Sequence, residues 1–123
     1  MKELFIIGVG GALGSIGRYL MQVVIDRYIT VSFPLGTMLV NISGCFLIGL
    51  FYGFCQRYAW MSLEWRLFLI TGLCGGYTTF SSYSYEAIGL LKQGNYSYFF
   101  LYVAGSVVLG LLATAGGMFA VRI

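Results

Sequence analysis

The chain has 123 residues, of which 59% are apolar, 18% aromatic and only 9% charged, with 7 Lys+Arg against 4 Asp+Glu. A water-soluble domain carries about 25% charged residues, and with a mean hydropathy of +0.88 this chain reads as an integral membrane protein. Histidine is absent, which excludes Ser-His-Asp and Cys-His catalysis and His-ligated zinc, and nothing else in the composition points to an enzyme.

The net charge of +3 is dispersed along the chain, without the basic run that meets nucleic acid. Cys45, Cys55 and Cys74 lie in apolar stretches without CxxC spacing and read as small hydrophobes rather than a disulfide framework. The first apolar stretch is too long for a signal-peptide core and is followed by others, so it reads as a membrane span.

A helix needs about 20 apolar residues to cross the hydrocarbon core. The sequence offers four such stretches, Leu4–Ile25, Phe33–Gln56, Trp65–Leu91 and Tyr96–Val121. They leave only short loops, so the expected architecture is a single all-α domain of four transmembrane helices with no room for a soluble module. The first span carries one charge, Arg18, read as lying near the end of its helix, where it can reach an aqueous mouth and attract anions.

The third span is irregular. Gly75-Gly76-Tyr77-Thr78-Thr79-Phe80-Ser81-Ser82-Tyr83-Ser84 interrupts it, and a glycine pair followed by Thr and Ser is a poor helix former with many local hydrogen-bonding options. The expectation is a helix broken at mid-membrane, a feature that recurs at ion and substrate sites. A plain packing kink is the simpler alternative.

With four spans, Lys2, Arg57, Arg66 and Arg122 fall on one side of the membrane and Arg27 and Lys92 on the other. That bias is weak for the positive-inside rule, so the chain is expected to insert both ways up and to pair as an antiparallel, dual-topology homodimer. Gly10 and Gly14 in GxxxG spacing, together with Gly44, Gly49, Gly53, Gly105 and Gly110, provide close helix contacts, within one chain or between two.

Polar residues inside spans are costly and mark function. Thr37 and Asn41 occupy the second span. Tyr102, Ser106, Gly110 and Thr114 recur every four residues in the fourth and predict one wettable stripe. Ser81, Ser82, Ser84 and Glu86 follow the break. Hydroxyls, a carboxamide, free backbone N–H groups and aromatic ring edges suit a small anion shed of its water, while carbonyls freed by the break suit a cation. Interhelical hydrogen bonding alone remains the plainer reading for any single hydroxyl.

Gly11-Ala12 with Arg18-Tyr19, Phe33-Pro34-Leu35-Gly36-Thr37 running to Asn41-x-x-Gly44, and Gly72-x-x-Gly75-Gly76-x-Thr78-Thr79-Phe80-Ser81 together resemble the Fluc (CrcB) fluoride channels of bacteria over essentially the whole chain. The resemblance implies passive export of cytoplasmic fluoride across the bacterial inner membrane, through two pores in an antiparallel homodimer. It also implies a structural sodium ion (Na+) at the dimer centre, held by backbone carbonyls at Gly75 and Thr78. Asn41 matches the asparagine that donates to fluoride and Phe80 the first of two stacked phenylalanines. Tyr83 stands where the family has the second. Ser81, Tyr102 and Ser106 match a polar track, Thr37 belongs with it, Glu86 matches an acidic position after the motif, and Arg18 matches a vestibule arginine.

Two other classes stay open. A small multidrug or cation exchanger has this size and topology but needs a carboxylate in its first span, where this chain has Arg18. A non-transporting assembly subunit is the other.

Overall fold

A computed structural model describes residues 1–122, the side chain of Arg122 excepted, so the part of Arg122 in the loop-charge reading lies outside the described residues. The first helix, α1 (Lys2–Tyr28), overruns the expected span at both ends. The added residues include Lys2, Glu3, Asp26 and Arg27, which are tolerated in helix outside the hydrocarbon, and Arg27 in the last turn complements the helix dipole.

The second helix, α2 (Leu35–Arg57), begins after Pro34, which has no N–H to give and caps the helix. Phe33, expected as the first residue of the span, therefore lies outside the helix. Its ring stands edge-on to Tyr98 and Tyr102, with centroids 5.3 and 5.5 Å away.

The third unit is more finely divided than the sequence suggested. A short α3 (Leu63–Arg66) runs into a π-helical stretch (Leu67–Cys74) and one turn of α-helix, α4 (Gly75–Tyr77). Two extended residues follow, Thr78 (φ −84, ψ 156) and Thr79 (φ −147, ψ 119). Helix then resumes as α5 (Phe80–Lys92).

The break thus falls at Thr78–Thr79 and not at the glycine pair, since Gly75 has ordinary helical angles (φ −61, ψ −39). The threonine hydroxyls explain the shift. Thr78 Oγ1 donates to the Cys74 carbonyl at 3.0 Å, closing the upstream end. Thr79 Oγ1 accepts the Ser82 N–H at 3.2 Å, capping α5.

The glycines serve packing. A Cβ on Gly72 would stand 2.9 Å from the Ile7 carbonyl oxygen, and one on Gly10 3.1 Å from the Gly72 Cα, so α1 and the π stretch meet backbone to backbone. Gly76 presses on Gly11, and Gly14 on Leu73, in the same way. The GxxxG pair of α1 is spent inside the chain.

The last helix, α6 (Tyr96–Arg122), follows a turn in which Gly94 takes φ +75, a conformation suited to glycine. It packs along α2, with Gly49 against the Thr114 backbone and Gly117 against Phe46 and Leu50. Met38, Ala87, Leu90 and Tyr102 form a buried cluster where α2, α5 and α6 meet.

Large apolar side chains such as Leu4, Phe5, Leu111 and Phe119 remain exposed, as they must where the solvent is lipid. Helices α1, α2 and α6 are each long and apolar enough to cross a membrane. The broken unit packs against α1 and α6 and supplies the site.

Candidate functional site

A side chain of α2 also holds the break. Asn41, on α2, donates from Nδ2 to the Thr79 carbonyl at 2.9 Å and accepts the Thr79 N–H on Oδ1 at 2.8 Å. A carboxamide is the side chain that can satisfy both groups of one peptide residue at once, and both would otherwise be orphaned by the extended backbone. One Asn41 N–H remains to point elsewhere.

Asn41 lines a groove of about 310 Å³ with Thr78, Thr79, Phe80, Tyr83 and Ser106. The Ser106 hydroxyl has no hydrogen-bond partner although its oxygen is buried. Unsatisfied buried hydroxyls are rare, and this one lies beside the groove. The rings continue the path. Phe80 and Tyr83 have centroids 5.7 Å apart and Tyr83 and Tyr102 5.0 Å apart, all tilted near 50°. The Tyr83 hydroxyl donates to the Val103 carbonyl of α6 at 3.1 Å, so the extra oxygen at this position is satisfied away from the groove.

Tyr102 is fully buried and donates to Glu86 Oε1 at 3.0 Å. Thr37, 2% exposed, receives a hydrogen bond from Gln22 Nε2 of α1 at 3.1 Å. The sequence patterns did not single out Gln22, although an amide within an apolar span was the available signal. Glu86 opens on a second groove of about 410 Å³ that also contains Ser32, Lys92 and Gln93.

Other expected site residues fall elsewhere. Ser81 is exposed and its hydroxyl lies 3.4 Å from Thr79 Oγ1, outside either groove. The stripe on α6 is only partly wettable. Gly110 packs near Cys45 and Thr114 against Gly49, because α2 covers that face, and Tyr102 and Ser106 alone serve the site. Arg18 is not near the end of its helix, since α1 continues to Tyr28. Its Nε donates to the Gly76 carbonyl at 3.2 Å, which places its charge at the negative end of the interrupted helix.

Whether the break suits a cation can be judged from its carbonyls. Cys74 accepts from Thr78, Gly76 from Arg18, and Thr79 from Asn41. Among the described residues, no hydrogen bond reaches the Gly75 or Thr78 carbonyls. No group of three or more His, Cys, Asp or Glu side chains that could hold a metal occurs among the described residues. Free carbonyls are hard oxygen donors of the kind that replace the hydration of an alkali cation.

A helical membrane protein whose broken helix, amide and hydroxyls converge on an aromatic-walled groove belongs to the class that passes a small ion. Residues 5–118 match the family model described as CrcB-like protein, Camphor Resistance (CrcB), and the chain belongs to that family. It is 50% identical to a protein of Flavobacterium psychrophilum over 96% of this chain and 95% of that one. It is also 50% identical to one of Phocaeicola vulgatus over 96% and 97%, and 40% identical to one of Leptospira interrogans over 98% and 95%. Each of these relatives is named a fluoride-specific ion channel.

Proposed function

We propose that this protein is a fluoride-selective ion channel of the bacterial inner membrane that lets cytoplasmic fluoride leave passively, and is not an enzyme. The single observation that carries the reading is the buried Ser106 hydroxyl, without a partner, beside the groove where Asn41 retains a free N–H. Two neutral donors, with the positive edges of Phe80 and Tyr83, can replace the water of a small anion without trapping it. Thr37, Tyr102 and Glu86 extend the polar path beyond the groove, and Arg18 supplies the positive potential that favours anions. A small multidrug exchanger is disfavoured because α1 carries no acid in its apolar stretch.

In this reading the broken unit is the fourth membrane crossing. Phe80 is 78% exposed although it lines the groove, which supports a second, antiparallel copy that covers it and completes two pores. The free Gly75 and Thr78 carbonyls would hold a sodium ion at that junction, where its charge would join the two interrupted helices. The deciding experiment is efflux from liposomes that contain the purified protein. Fluoride is expected to leave rapidly and chloride not. Equal fluxes, or none above protein-free vesicles, would overturn the proposal.

A further inference from the structure

We propose that Lys92 is a mouth residue of the polar path, whose ammonium offsets the Glu86 carboxylate in the larger groove and draws fluoride into it. The assignment rests on the channel reading and extends it to a lysine that belongs to none of the sequence motifs.

Lys92 is the last residue of α5, and the turn that follows holds its backbone in place. The Gly94 N–H donates to the Leu91 carbonyl and the Asn95 N–H to the Leu90 carbonyl, both at 3.0 Å, with Gly94 at φ +75. Such a pair of bonds ends a helix sharply where glycine takes the left-handed conformation. From this fixed end the exposed Lys92 side chain lines the groove of about 410 Å³, together with Glu86, Ser32 and Gln93. Ser32 comes from the link between α1 and α2, so two loops on the same side of the membrane meet at this groove.

The charges that line the groove are one acid and one base. Glu86 is half-buried, and its Oε1 accepts the phenolic hydrogen of the fully buried Tyr102 at 3.0 Å. Its carboxylate therefore joins the polar interior to the groove, and its negative charge repels an anion that passes that way. Asp26 and Arg27, on the same side of the membrane, do not line the groove, so Lys92 supplies the offsetting charge there. Among the described residues its ammonium makes no ion pair and donates no hydrogen bond. A hydrated point charge on a flexible stem attracts an anion to the mouth without holding it fast. A lysine in the last turn also complements the helix dipole, but that contribution goes to stability and does not depend on an ion in the groove.

A charge that acts on a passing ion through water is told from one that acts on packing by its response to salt. The screening length is about 30 Å at about 10 mM ionic strength and about 3 Å at about 1 M. A unit charge about 7 Å from an ion in water changes the local concentration of that ion about threefold. Initial fluoride efflux is measured at low fluoride for the parent, Lys92→Arg, Lys92→Gln and Lys92→Glu. The liposomes are of phosphatidylcholine, which has no net surface charge, and ionic strength is raised with N-methylglucamine gluconate at constant sodium. Because loop charges bias insertion, only protein that elutes with the parent in size exclusion is reconstituted.

At low salt we expect flux to fall about threefold in Lys92→Gln and about fivefold or more in Lys92→Glu, with Lys92→Arg unchanged. At high salt all four are expected to agree within about twofold. Flux in Lys92→Glu that equals the parent's at low salt overturns the inference and leaves the channel reading intact. A loss as large at high salt as at low salt also overturns it, because it would mark a role in packing. If Lys92→Glu does not assemble, Lys92→Gln decides by the same comparison. A parent that conducts no fluoride overturns the channel reading and the inference with it.

Discussion

At the scale of single residues, Asn41 and Ser106 illustrate how a polar atom in a membrane protein is assigned a role by what it already touches. Asn41 holds the Thr79 N–H and carbonyl at 2.8 and 2.9 Å, so Asn41→Asp removes more than a donor to an anion. One of its contacts becomes oxygen against oxygen, and the break itself is loosened. Fluoride flux is expected to collapse together with a loss of about 1–3 kcal/mol in stability, measured as a lowered melting temperature in detergent. Ser106 offers the cleaner test. Its hydroxyl has no partner, so Ser106→Ala is expected to leave stability unchanged or slightly raised while flux falls about three- to tenfold. Unchanged flux would remove Ser106 from the path. Tyr83 shows the reverse case, an added oxygen that finds the Val103 carbonyl. Tyr83→Phe is therefore expected to retain conduction and to lose about 1 kcal/mol of stability, and loss of fluoride selectivity in that variant would assign the hydroxyl to the path.

At the scale of elements, the interrupted helix depends on two different kinds of residue. Thr78 and Thr79 make the break, through hydroxyls that close one helix and cap the next. Gly72 and Gly76 make the fit, because α1 leaves no space for a Cβ at either. Gly75 stands between these roles. Its angles are helical, and a methyl added there would meet only the Ile70 carbonyl oxygen, at an ordinary contact distance of 3.8 Å. Gly75→Ala is therefore expected to change the melting temperature little, within about 1 kcal/mol of stability. Gly76→Ala should cost about 1–3 kcal/mol through overpacking against the Gly11 backbone. Equal effects of the two substitutions would show that the α1 contact does not govern the break. The entrance to the same unit is set at the surface, where a backbone hydrogen bond, the Ser62 hydroxyl and Lys2 hold the Glu64 carboxyl below its ordinary range.

At the scale of the whole molecule, one chain leaves its site open along the start of α5, where Phe80 and Tyr85 are 78% and 82% exposed. An antiparallel partner would cover that face, and a cation bound only by the paired state would stabilise the pair. Replacing sodium by N-methylglucamine is expected to weaken the dimer or slow fluoride flux while leaving the preference over chloride unchanged, read by size exclusion and efflux. Indifference to the cation would remove the carbonyl site. Tags on the C-terminus are expected on both faces of the membrane, and a uniform orientation would overturn the antiparallel pairing.

Much of this was legible without coordinates. Sparse charge, long apolar stretches and the Gly-Gly-x-Thr-Thr-Phe run sufficed to predict a membrane-embedded helical protein with an interrupted third unit, because hydropathy and helix propensity are local properties that each segment carries with it. The positions of Thr37, Asn41 and Ser106 were likewise readable as polar exceptions in apolar surroundings, while Phe80 stood out only through the family resemblance. What each exception does was not readable. The sequence spread the interruption over Gly75–Ser84 and put Arg18 near a helix end, whereas local threonine bonds and Asn41 narrowed the break to Thr78–Thr79, and tertiary packing sent Arg18 to the Gly76 carbonyl and buried half of the α6 stripe under α2. Only the packed structure joins Gln22 to Thr37 and Tyr102 to Glu86. A hydrogen bond between residues far apart in the chain depends on which helix faces meet, and those faces are chosen by close backbone contacts at Gly10, Gly36, Gly49 and Gly72 that no single segment encodes alone.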